Sequence, residues 1–138
     1  LPTPADLAAN EQALQRMKKL PQPLFVTASA HWNRISQEHG VPLHAGALGD
    51  VFKGGGPVAR KLQADLAADL RAHRFATIVS DRAFAFLPPE IVSLIQQEYS
   101  PRGSVMAGVP DDVAWPRVGA SIRPDTIWVA RTPRVPRP

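Results

Sequence analysis

Pro57-Val-Ala-Arg-Lys-Leu-Gln-Ala-Asp-Leu-Ala-Ala-Asp-Leu-Arg-Ala-His73, then Arg74, then Phe75-Ala-Thr-Ile-Val-Ser80, is the stretch that decides the fold. Val58, Leu62, Leu66 and Leu70 recur at every fourth position behind Pro57, which suits the first turn of a helix. Lys61 with Asp65, and Asp69 with His73, stand at i,i+4 spacing and read as ion pairs on the wet side. The apolar run 75–80 is too short for a helix and rich in β-formers, so it reads as a buried strand. A helix feeding such a strand is the repeating unit of α/β proteins.

The same alternation continues on both sides. Thr3 can cap a helix that opens with Pro4, Asp6 suits its positive end, and Leu7, Ala13, Leu14 and Met17 form a stripe along it. Pro21 ends that helix, and Leu24-Phe-Val-Thr-Ala-Ser29 reads as a strand. Short helical turns are expected from Ala30 to His39, closed by Gly40, and from Ala45 to Phe52. Gly54-Gly-Gly56 reads as a flexible connection. Downstream, Pro88-Pro89 begins a helix reaching Glu98, with Ile91, Val92, Leu94 and Ile95 on its buried face. Beyond Tyr99 the chain is rich in Pro and Gly, with Val105-Met106 as an edge strand and Thr126-Ile-Trp-Val-Ala130 as the last strand. The expected fold is a small, Rossmann-like layered α/β domain. Its short, mainly parallel sheet has about four strands flanked by helices. One domain covers residues 1–130, and 131–138 form a Pro/Arg-rich tail.

Composition narrows the function classes. With 138 residues the chain fits one globular domain. The absence of cysteine excludes disulfides, thiolate catalysis and Cys-ligated metal centres. No run of about 18 apolar residues is present to span a bilayer. The formal charge is +4, but residues 1–99 are nearly balanced and three of the four excess charges lie in 100–138, spread between prolines. A nucleic-acid reader needs them on one face, so no nucleic-acid partner is expected. The ending Arg131-Thr-Pro-Arg134-Val-Pro-Arg137-Pro reads as a solvated tail. The chain begins with Leu1 and has no apolar signal core, which reads as a piece of a longer or a processed protein.

In open α/β sheets, ligands sit at the carboxyl ends of strands. His31 and Trp32 follow the first strand and Asp81 and Arg82 the second. With His44 and Asp50 they form a candidate crevice in which a His–Asp pair could do acid–base work. The simpler reading is that the histidines bond nearby backbone and that Asp81 caps the segment after its strand. His31, His39, His44 and His73 match no compact ligand spacing, so no metal is expected, and no cofactor either. Lys53-Gly-Gly-Gly56-Pro57 lacks the phosphate-loop ending, and Val79-Ser80-Asp81 lacks the glycines of a nucleophile elbow. Trp115-Pro116 and Trp128 read as core or partner-facing aromatics.

The run Ala30-His31-Trp32 … Gly40-Val-Pro42-Leu-His44-Ala-Gly46-Ala-Leu-Gly-Asp50-Val-Phe-Lys-Gly54 resembles a pattern in bacterial polytopic membrane proteins described as glycosyltransferase-like. These belong to the multi-spanning class that uses lipid-linked sugars. The opening around Thr3 and Asp6 and the closing Arg123-Pro124-Asp-Thr-Ile-Trp-Val-Ala-Arg131 are similar to the soluble segment that follows their last membrane helices. His31, His44 and Asp50 are the matching positions. The chain departs at Gly46, where a second histidine would stand, which weakens a two-histidine site. The resemblance implies an extracytoplasmic domain at the bacterial inner membrane. Its partner would be the transmembrane region of the same polypeptide, its ligand a lipid-linked sugar or acceptor, and it would have no catalysis of its own. The alternative is a free-standing α/β enzyme on a phosphorylated or sugar-like substrate. There His31 or His44 would be the acid–base, Asp50 or Asp81 its orienter and Arg82 an anion clamp.

Overall fold

The computed structural model describes residues 3–27, 52–85, 87–110 and 123–132. Within them the chain forms α1 (Pro4–Lys18), β1 (Leu24–Val26), α2 (Gly56–Arg71), β2 (Thr77–Ser80), α3 (Pro89–Glu98), β3 (Tyr99–Ser104) and β4 (Thr126–Ala130). The fold is α/β, with a four-stranded sheet in the order β1-β2-β4-β3.

The sheet is mixed, which corrects the expectation of a mainly parallel one. Only β1 and β2 pair in parallel, while β4 is antiparallel to both β2 and β3. The reason lies in how β4 enters. β3 ends at the carboxyl edge of the parallel pair, and there Arg123 Nη1 donates to the Pro110 carbonyl at 3.3 Å. Val105 N–H likewise donates to the Asp125 carbonyl. The chain leaving β3 and the chain entering β4 therefore share one edge, so β4 must run back antiparallel. β1, β2 and β3 themselves all point the same way. The Rossmann-like layering expected from the alternation does not follow from these pairings.

Alternation along the strands divides the core between the two faces of the sheet. Leu24, Val26 and Val79 pack against Ala9, Ala13 and Met17 of α1, together with Val105 and Met106. Phe25, Ile78 and Tyr99 face the other way, onto Leu66 and Leu70 of α2 and Ile91 and Ile95 of α3. The order carries the chain in one direction across the sheet from β1 to β2 to β3. Successive crossovers of one hand then keep α2 and α3 on one face.

The helix starts follow the sequence. Thr3 and Asp6 form a reciprocal capping box: Thr3 Oγ1 accepts from Asp6 N–H at 3.1 Å and Asp6 Oδ2 accepts from Thr3 N–H at 2.8 Å. Two apolar stripes turn out differently. Leu7 is 57% and Val58 71% exposed, and alanines, Ala9 with Ala13 and Ala59, take the inward places beside the larger side chains. In a helix of 3.6 residues per turn each i+4 step advances about 40° too far. Val58 therefore lies about 120° round α2 from Leu70, off the face that Leu66 and Leu70 bury.

α2 begins at Gly56, one residue before Pro57. Gly55 and Gly56 adopt φ of 67° and 83°, so glycine here serves a left-handed entry to the helix. The edge strand also lies earlier than Val105-Met106, at Tyr99–Ser104, while Val105 and Met106 follow it in a turn and are buried. Pro101 is tolerated because β3 is an edge strand, and Gly103, at φ 105°, sits in the bulge between Pro101 and Ser104. The expected turns at 30–39 and most of 45–52, Trp115-Pro116 and the tail beyond Thr132 lie outside the described residues.

Candidate functional site

Strand direction builds the carboxyl edge. β1 and β2 end there, and Thr27 N–H still pairs with the Val79 carbonyl at 2.9 Å. Ser80 pairs with Thr126, the first residue of β4, and Thr126 pairs in turn with Ser104, the last of β3. Thr27, Ser80, Asp81, Arg82, Ser104, Arg123 and Asp125 are thereby gathered on one rim.

Asp125 is the centre of this group. Its backbone N–H donates to the Ser80 carbonyl at 2.9 Å. Its Oδ1 accepts from the Ser104 hydroxyl at 2.7 Å, and its Oδ2 accepts from Arg82 Nε at 2.9 Å. Arg123 Nε approaches the same Oδ2 at 3.8 Å. Asp81 is engaged differently. Its Oδ2 accepts from Ala85 N–H at 2.9 Å and its Oδ1 from the Thr27 hydroxyl at 3.4 Å. Asp81 thus caps the turn after β2, the simpler of the two readings of the sequence. That turn holds Phe84 at φ 50°, where its ring rests against Trp128 at 5.7 Å between centroids. Trp128 Nε1–H donates to Ser80 Oγ at 2.9 Å, so this tryptophan is part of the core face and ties into the rim.

Of the residues expected in the crevice, Asp81 and Arg82 stand on the rim. His31, Trp32, His44 and Asp50 lie outside the described residues. Asp125, Arg123 and Ser104 were missed. Arg123-Pro124-Asp125 was visible just ahead of a strand, but only the direction of that strand places it beside Arg82.

The opposite edge holds a second polar cluster. His73 does not pair with Asp69; it lies past the end of α2 at φ 52°, which swings its ring off the helix face. Its Nε2 meets Glu98 Oε2 at 2.7 Å and its ring lies 5.7 Å from that of Tyr99. Asp69 pairs with Arg74 at 3.4 Å instead, while Lys61 and Asp65 pair as expected at 2.7 Å. The Tyr99 hydroxyl donates to the Phe75 carbonyl at 2.7 Å, and burial pushes its pKa up to about 12. This cluster fastens the ends of α2 and α3 to β3.

Among the described residues, no group of three His, Asp or Glu side chains could hold a metal ion. No described helix is long and apolar enough to cross a membrane. An open groove of about 700 Å³ runs between the first turns of α1 and Gly108–Pro110, lined largely by Ala5, Ala8, Ala9 and Val109. Among the described residues, the polar side chains that line it are Glu11 and Gln12. Comparison with protein-family models finds no match for the chain, and comparisons with curated proteins and with solved structures find none either.

Proposed function

We propose that the chain is a binding or accessory domain with no chemistry of its own. It serves the transmembrane part of a glycosyltransferase-like protein on the extracytoplasmic side of a bacterial inner membrane. The observation that supports a non-catalytic role is the engagement of both rim carboxylates. Asp81 accepts from the Ala85 N–H of its turn, and Asp125 accepts from the Ser104 hydroxyl and from Arg82 Nε, with the Arg123 guanidinium 3.8 Å away. A general base needs a lone pair within reach of a substrate proton, and both oxygens of each carboxylate are already directed at donors of the fold. The membrane setting rests on the resemblance carried by residues 30–54 and 123–131. We read β1-α2-β2-α3-β3, whose strands share one direction, as a Rossmann-like half into which β4 is added.

Antibodies raised against residues 1–138 test this on fractionated source cells. The reading expects a membrane-bound product much larger than 15.0 kDa, whose epitope is removed by protease added outside spheroplasts. A soluble product of about that mass would overturn it. So would turnover of a lipid-linked sugar by the isolated chain. Turnover abolished by His31→Ala or His44→Ala would establish the free-standing enzyme in its place.

A further inference from the structure

We propose that the amino edge of the sheet, where the parallel strands begin, is a basic face that rests on the anionic headgroups of a lipid bilayer through Lys18, Lys19, Arg71, Arg74 and Arg131. This deepens the membrane-accessory reading and rests on it.

Backbone bonds define the edge. The Pro23 carbonyl accepts from Ala76 and Thr77 N–H, and the Thr77 hydroxyl donates to the Pro21 carbonyl. Ala130 N–H donates to the Ala76 carbonyl and Arg131 N–H to the Glu98 carbonyl. The starts of β1, β2 and β3 and the end of β4 are thereby joined in one line. Each helix leads into a strand that starts there, so all three helices end at this edge. Lys18 and Lys19 close α1, Arg71 closes α2, Arg74 stands between α2 and β2, and Arg131 follows β4. Cations dispersed along the sequence are gathered by the fold.

All of them are exposed. The described carboxylates beside them, Asp69 and Glu98, pair with Arg74 at 3.4 Å and with His73 at 2.7 Å. Among the described residues, no ion pair engages Lys18, Lys19 or Arg71. A cation at a helix C-terminus also answers the helix dipole, which accounts for Lys18 and Arg71. It does not account for Arg74 and Arg131, which lie beyond the helices. At the carboxyl edge, by contrast, Arg82 and Arg123 stand with Asp81 and Asp125 in equal number.

Chemistry selects the occupant. The cations sit on separate helix ends and connections spread along the edge, which suits a diffuse anionic plane and not a single phosphate. Single-stranded nucleic acid favours exposed rings on which bases stack, whereas Phe75 and Tyr99 at this edge are buried. The exposed large apolar side chains, Leu7 and Val58, lie near the starts of α1 and α2, at the far ends of those helices. Contact at this edge is therefore electrostatic, without insertion, and is screened by salt.

The experiment is co-sedimentation of the chain with vesicles of phosphatidylcholine alone, or of phosphatidylcholine and phosphatidylglycerol in equal parts. The chain should bind the mixed vesicles, ignore phosphatidylcholine alone and be released by high NaCl. Lys18→Gln with Lys19→Gln should weaken binding about 25-fold, at about fivefold per cation. Lys53→Gln with Arg60→Gln takes the same charge from exposed positions around the start of α2 and should change binding less than about twofold. Arg71→Gln, on a different helix, should weaken binding about fivefold, and it decides the test if the lysine pair fails to fold. Equal binding to both vesicles, binding unmoved by salt, or equal weakening by the two double variants overturns the proposal. So does capture of a labelled DNA duplex instead of vesicles, lost in the same lysine variant, which would assign the edge to nucleic acid. The two readings fail separately. Loss of vesicle binding with a membrane-bound native product overturns this proposal alone, and vesicle binding by a product that proves soluble overturns the transmembrane reading alone.

Discussion

Tyr99→Phe removes one oxygen atom from a site that the structure makes unusually easy to read. Tyr99 is the single tyrosine of the chain and is fully buried. Its hydroxyl donates to the Phe75 carbonyl at 2.7 Å. Burial pushes its pKa from 10.0 to about 12, and the nearby Glu98 and Asp69 carboxylates push it the same way. A carbonyl only accepts, so the bond is lost once the phenol ionises. Near neutral pH the variant leaves that carbonyl without its donor, at a cost of about 1–3 kcal/mol.

The alkaline limb separates this from a simple packing loss. The folded pKa lies above the unfolded one, so the unfolded chain gives up this proton first. The contribution of the neutral phenol is whole below pH 10 and is lost as pH rises towards 12. Two units correspond to roughly 3 kcal/mol. Lysine and arginine titrations act on both proteins alike and drop out of the comparison. Urea unfolding should therefore find the native chain more stable near neutrality, with the gap to Tyr99→Phe closing through the alkaline range. Phenolate absorbance reports Tyr99 alone and should rise near pH 12 in the folded chain or together with unfolding. A folded chain that titrates near 10, or two stability profiles that stay parallel, would refute the account.

Four further substitutions probe the fold by denaturant unfolding. Thr3→Ala removes one half of the capping box and should cost about 1 kcal/mol; an unchanged midpoint would mean that Asp6 alone holds the start of α1. Leu70→Ala empties a fully buried position between α2 and the sheet and should cost about 2–5 kcal/mol, against almost nothing for the exposed Val58→Ser. Gly103→Ala meets no atom within 4 Å, so any loss, about 1–2 kcal/mol, is the backbone cost of holding a side chain at φ 105°.

Local signals were the legible ones. The start of α1, the end of α3 and the span of β4 follow from Thr3-Pro4, from the Ile91–Ile95 spacing and from the β-branched run at 126–130. Failures occurred where a local rule met a tertiary choice. Tyr99–Ser104 reads as a breaker because of Pro101 and Gly103, yet an edge strand needs hydrogen bonds on one side only. Leu7 and Val58 match an apolar template, but which stripe is buried is decided by the sheet beneath each helix. His73 stands at the right spacing for Asp69 and leaves it because the helix has already ended. Asp81 and Arg82 could be found because a βα turn fixes which end of the strand they occupy. Nothing local says which way a final strand runs, and so Asp125 stayed invisible beside them.

That last strand ties the architecture to the rim. A fourth strand added parallel to its neighbours would have started at the opposite edge, carrying Arg123 and Asp125 to the side of His73 and Glu98. Entering antiparallel between β2 and β3, β4 brings Asp125 to the point where both neighbours end. Its backbone can then bond Ser80 and Val105 while its carboxylate bonds Arg82 and Ser104. The hydrogen bonds that seat the strand also fix the carboxylate, and the carboxylate fixes the exposed guanidinium. A rim built this way inherits the rigidity of the sheet instead of relying on loop order.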